Sequence, residues 1–177
     1  MASLTNLNLN KLYSITTTMV DNRTKQLKVR ENFITAIPSW INHYPNIIEI
    51  DICCNKVSSI PELTYIKQLN LSGNELSTIE LDMPELEYLS LTNNLLASFD
   101  LSRVTKLKNL DLAHNKLSSL DLTKLPKSLK VLRLGNNKIT TLSGLENFPH
   151  LTLLALDGMN WVSIDKSKLN TSAKIFF

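Results

Sequence analysis

The chain has 177 residues, 43% of them hydrophobic and 20% charged, which fits one globular domain or one elongated array and excludes wholesale disorder. Its 19 basic and 16 acidic residues leave a formal charge of +3, so the composition demands neither a nucleic-acid nor an acidic partner. Two counts are skewed: 33 Leu and 19 Asn stand against 4 Gly, which calls for a search for internal repeats.

At the front, Leu4, Leu7, Leu9 and Leu12 spell a degenerate unit with Leu12 in the slot that Asn takes later. Six regular units follow: Leu27-x-Val29-x-x-Asn32, Ile50-x-Ile52-x-x-Asn55, Leu69-x-Leu71-x-x-Asn74, Leu89-x-Leu91-x-x-Asn94, Leu110-x-Leu112-x-x-Asn115 and Leu132-x-Leu134-x-x-Asn137. An aliphatic residue stands two places after each Asn: Ile34, Val57, Leu76, Leu96, Leu117 and Ile139. A seventh unit, Leu151-x-x-Leu154-x-Leu156-x-x-Met159-x-Trp161, has Met in the Asn slot. The Asn positions advance by 23, 19, 20, 21 and 22 residues (32→55→74→94→115→137). Regular units between degenerate ends are the pattern of a capped array.

In an aliphatic-x-aliphatic triplet side chains alternate, so both aliphatics face inward and the middle residue faces out. Each unit predicts one short strand, and successive units stack these strands in parallel. The Asn amide, with donors and an acceptor, can satisfy backbone groups in the buried turn that have no sheet partner. Asn32, Asn55, Asn74, Asn94, Asn115 and Asn137 are therefore read as a structural ladder. Short units leave little room for helices on the return side. Pro38, Pro45, Pro61, Pro84, Pro126 and Pro149 all lie there and stop helices from continuing. One helical turn is expected near Ser39–His43.

This pattern resembles that of leucine-rich repeat proteins, L-x-x-L-x-L-x-x-N-x-L, and its spacing is most similar to the short-repeat type of phosphatase regulators and bacterial internalins. The resemblance runs from residue 24 to about residue 164. It implies an α/β fold: a right-handed solenoid with a parallel concave sheet of seven or eight strands and a mostly non-helical convex side. The expected organisation is a single domain. Residues 1–23 form a degenerate cap, 24–164 the regular repeats and 165–177 a C-terminal cap or truncated repeat. Counting 22 on from Leu154 reaches Phe176, so the last residues either fold back or start another strand.

In such a fold the outward strand residues form the concave face. Arg30, Asp51, Tyr88, Asp111, Val131, Arg133 and Leu153 exceed what a solvated sheet needs. They are the candidate partner-binding residues, since Tyr and Arg are over-represented among binding hot spots. Charge is blocked along the chain: residues 1–48 carry +3, 49–100 carry −7 and 101–177 carry +7. A dipolar rod with an acidic middle and a basic C-terminal half follows. No aromatic residues interleave with the basic half, which argues against nucleic acid, and anionic lipid is likewise disfavoured.

Chemistry-bearing motifs are missing. The glycines at 73, 135, 144 and 158 stand alone, so no phosphate-cradling loop is present. His114 could neighbour Asp111, but no Ser or Cys is in register to complete a triad. Cys53 and Cys54 are adjacent and lack metal-ligand spacing. No cofactor, metal or catalysis is expected. Neither a secretory signal nor an 18-residue apolar run is present, so the three glycosylation sequons read as chance and the expected location is cytoplasmic. An extracellular one requires a missing upstream signal. The expected function is a non-catalytic protein-interaction scaffold using the concave face. The alternative is a ligand-sensing or targeting segment of a larger kinase or effector.

Overall fold

A computed structural model describes residues 12–159, 163–164 and 173–177. The front unit therefore falls mostly outside the described residues, as does Trp161. Eight strands form one parallel sheet. They are β1 (Gln26–Lys28), β2 (Glu49–Asp51), β3 (Gln68–Asn70), β5 (Tyr88–Ser90), β7 (Asn109–Asp111), β8 (Val131–Arg133), β10 (Leu153–Ala155) and β12 (Lys174–Phe176), in that spatial order. The first aliphatic of every unit sits at a strand centre and pairs in line: Leu27, Ile50, Leu69, Leu89, Leu110, Leu132 and Leu154. Ile175 closes the row beside Leu154. The last strand is thus one residue ahead of the expected count, and Phe176 faces outward, 47% exposed. At about 4.8 Å per strand the sheet is roughly 34 Å long.

The core is a column behind this sheet. Both strand aliphatics of each regular unit are buried, as is the one two places past each Asn. Phe148 is the largest fully buried side chain. The column needs no long-range folding of the chain back on itself, because each unit packs only on its neighbours.

Unit length decides the return side. The unit that advances by 23 carries a five-residue 3₁₀ turn, Ser39–His43. Units advancing by 22 carry three-residue turns, Leu122–Lys124 and Leu145–Asn147. Units advancing by 20 and 21 have none and run extended, as β4 (Thr78–Glu80) and β6 (Ser98–Asp100), which pair in parallel. A 3₁₀ turn rises about 2.0 Å per residue and a strand about 3.3 Å, so a unit with fewer residues must stretch to cover the same path. A second convex pair joins β9 (Thr141–Leu142) to β11 (Ser163–Ile164). These pairs were not expected from sequence, which left the return side as turns and extended pieces.

Every turn off the concave sheet uses one left-handed residue, immediately before the Asn slot. The φ values there are 54° at Glu31, 57° at Cys54, 66° at Gly73, 55° at Asn93, 54° at His114, 55° at Asn136 and 68° at Gly158. Only glycine adopts this region freely, with Asn and His next, so Glu31 and Cys54 are held there by their surroundings. Their N–H groups are engaged: Glu31 donates to the Cys53 carbonyl (3.0 Å) and Cys54 to that of Ser72 (2.8 Å).

The turn Asn side chains tie neighbouring units together. Asn94 Oδ1 accepts from Leu76 N (3.1 Å), and its Nδ2 donates to the carbonyls of Leu71 (2.9 Å) and Leu91 (3.0 Å). Asn55, Asn74, Asn115 and Asn137 repeat this arrangement one unit at a time. Asn32 accepts from Leu12 N at 2.8 Å and donates to the Arg30 carbonyl at 2.6 Å. Leu12 therefore stands where Ile34 and Val57 stand in later units. It is two places past the Asn slot, not in it, which corrects the phase expected of the front unit.

Candidate functional site

The strand registers place the outward residues in two rows along the concave sheet. One row runs Gln26, Glu49, Gln68, Tyr88, Asn109, Val131, Leu153, Lys174. The second runs Lys28, Asp51, Asn70, Ser90, Asp111, Arg133, Ala155, Phe176. Val131 and Leu153 are therefore neighbours on adjacent strands, as are Asp111 and Arg133. Tyr88 shares their row but is separated from Val131 by Asn109. Arg30 and Asp51 lie at the other end.

At the N-terminal end the charges satisfy one another. Arg30 Nε donates to Asp51 Oδ2 at 2.9 Å, with Arg30 Nη2 on the same oxygen, while Asp51 Oδ1 accepts from Cys53 N at 3.2 Å. Glu49 takes Gln26 Nε2 at 2.6 Å and Lys28 Nζ at 2.9 Å. Asp51 is 5% exposed. Packing between strands buries Asp51, and both its oxygens are engaged. In the middle, Ser72 Oγ and Ser90 Oγ lie 2.7 Å apart and Asn70 Oδ1 accepts from Ser72 Oγ at 2.6 Å.

Toward the C-terminal end this pairing stops. Among the described residues neither Arg133 nor Lys174 has an ion-pair partner. Asp111, beside Arg133 in register, accepts from Ala113 N at 3.0 Å. Val131 and Leu153 are half-buried and Tyr88 is 37% exposed. Two places past Arg133, Gly135 lets the next unit's turn pack close: an added Cβ would lie 2.7 Å from the Asp157 carbonyl oxygen. No larger residue fits there without moving the backbone.

The catalytic alternatives find no geometry. His114 is not placed on Asp111; its Nε2 lies 3.3 Å from Asn136 Nδ2. Burial, reinforced by the Asp51 carboxylate, pushes the Cys53 thiol up to about 12, so it carries almost no thiolate at neutral pH. Among the described residues no group of His, Cys, Asp or Glu is arranged to hold a metal ion.

The expected charge blocks meet at a seam that sequence analysis read only as a dipole. Arg103 pairs with Asp82 (3.7 Å), Lys106 with Glu85 (2.6 Å), Lys108 with Glu87 (2.6 Å) and Lys124 with Asp100 (2.6 Å). Most of these separations equal one repeat, which was the available signal. The Lys124 ammonium and the Ser102 hydroxyl hold the Asp100 carboxyl well below the usual range, and Lys108 does the same for Glu87.

Comparison with known proteins agrees with this architecture. The family model for leucine-rich repeats (two copies) matches residues 105–147 and 127–169. The chain is a leucine-rich repeat protein. It is 32% identical over 124 residues to sheep (Ovis aries) Toll-like receptor 2, a match covering 66% of the chain but 16% of that receptor. A leucine-rich repeat protein of Leptospira interrogans superposes with a TM-score of 0.76 at 26% identity, over 86% of this chain and 42% of that one. YopM, a leucine-rich effector protein from Yersinia pestis, superposes with a TM-score of 0.69 at 30% identity, over 85% of this chain and 42% of that one. The fold is that of protein-interaction scaffolds in general. Among the described residues no helix is long and apolar enough to cross a membrane.

Proposed function

We propose that the chain is a non-catalytic scaffold that binds a protein through the C-terminal half of its concave face. The observation that carries this reading is the contrast within one sheet: Glu49 and Asp51 are consumed by internal partners, whereas Arg133 and Lys174 stand unpaired beside half-buried Val131 and Leu153. An apolar centre rimmed by polar groups is the anatomy of an interface. Tyr88 contributes an amphipathic ring further along the row, and Arg30, Asp51 and Asp111 shape the sheet without meeting the partner first. Cys54 is an exposed free thiol, which suits a reducing compartment.

Affinity capture from the native source tests the reading. Tyr88→Ala and Arg133→Glu should leave folding intact, by circular dichroism and melting temperature, and release the captured protein. Recovery of every partner at the wild-type level by both variants would contradict it. The likeness to Toll-like receptor 2 favours a second reading, in which the same face senses a ligand as one segment of a longer receptor. Sequencing the gene tests that: a stop codon after Phe177 removes it.

A further inference from the structure

We infer that the segment received by this face is an acidic peptide stretch carrying an aliphatic side chain. This rests on the concave-face reading above and adds the partner's chemistry. Val131 and Leu153 lie side by side in one row. Around them stand three cations: Lys130 just before Val131, Arg133 two places on along the same strand, and Lys174 beside Leu153 on the last strand. Lys130 and Lys174 are exposed and Arg133 is half-buried. None of the three has an ion-pair partner among the described residues.

Lys108, at the same register one unit before Lys130, reaches Glu87 at 2.6 Å. At Lys130 the residue one strand back is Lys108 itself, whose carbonyl takes the Lys130 N–H at 2.8 Å, so no carboxylate is in line. The nearest acids in register are Asp111, which holds Ala113 N, and exposed Asp157. Three cations around a small apolar spot against two neighbouring acids leave positive potential only partly offset within the sheet, and an occupant with carboxylates flanking an aliphatic residue complements both. Arg133 can take a carboxylate bidentately.

The test is selection of a random twelve-residue phage-displayed peptide library on the whole chain at about 0.15 M salt. The expected result is enrichment of sequences combining Asp or Glu with Leu, Ile or Val. Binding of a synthetic peptide made from that consensus should fall at least about tenfold with Arg133→Glu, and similarly with Leu153→Ser. Raising salt to about 0.5 M should weaken it further. Enrichment of neutral or basic peptides that still depend on Leu153 would overturn the acidic-partner inference while leaving the concave-face reading standing. Peptides insensitive to both substitutions would overturn both. Loss with Arg133→Glu but not with Leu153→Ser, together with equal binding of a heparin oligosaccharide, would assign a general polyanion site and overturn the inference. Failure of any peptide to enrich would also count against it.

Discussion

The two ends of the concave sheet are built from the same triplets and paired in the same register, yet they treat charge in opposite ways. At Arg30, Asp51 and Glu49 every carboxylate finds its partner one strand away. At Arg133 and Lys174 it does not, because Val131 and Leu153 occupy places that Glu49 and Gln68 fill earlier in the row. Charge that is satisfied inside the sheet contributes to holding strands in line; charge left over is available to something else. Position in the array, not composition, decides which of these charges are paired.

Behind the sheet the two ends should be alike, and this is the sharpest check that the difference lies only on the outward rows. Asn55→Ala and Asn115→Ala each remove an acceptor for the preceding unit and donors to buried carbonyls. Each should cost on the order of 3 kcal/mol in urea unfolding. A loss confined to one end would mean that the halves differ in their packing as well. By contrast Lys138→Ala, at an exposed side chain next to Asn137, should change stability by less than about 0.5 kcal/mol.

The thiols divide along the same line. Cys53 sits over Asp51, with its proton held by burial, so a thiol reagent at neutral pH should modify Cys54 and reach Cys53 only after unfolding. Mass spectrometry of tryptic peptides reads the ratio, and equal labelling in the native state would show that the N-terminal end is looser than its hydrogen bonds imply.

A smaller effect belongs to the seam between the acidic and basic blocks. Asp100 and Glu87 bind protons less readily when folded than at their ordinary values of 3.8 and 4.5. The unfolded chain therefore takes up more protons as acid is added. The contribution is complete above about pH 5 and is lost as the pH falls through the folded values. The urea midpoint should decline from about pH 4.5 downward, and Lys124→Ala should flatten the decline slightly. Because these groups are exposed, added salt should reduce the effect.

Much of this was readable in advance. The twenty-odd-residue recurrence of Leu27 through Leu154 fixes which side chains go inward, since that alternation is local. The steps between Asn positions foretold how much return path each unit has, but not that β4 and β6 would pair across it. The left-handed slot is visible at Gly73, Gly158, Asn93, Asn136 and His114 and hidden at Glu31 and Cys54, whose types do not advertise positive φ. Alternation places Asp51 on the concave face but assigns a face and not a depth. Arg30, two places past Lys28, the register partner of Asp51 on the neighbouring unit, covers it. Arg133 is a candidate from sequence, but its lack of an ion-pair partner shows only when the neighbours in register are known, because being unpaired is a property of the surroundings.

Equilibrium urea unfolding of Asp51→Ala beside Arg133→Ala tests the division most directly. The first should lose about 1–3 kcal/mol, from an unmet Cys53 N–H and a broken Arg30 pair; the second should stay within about 0.5 kcal/mol of the parent. Equal losses at both positions, or a stable Asp51→Ala beside a destabilised Arg133→Ala, would contradict it.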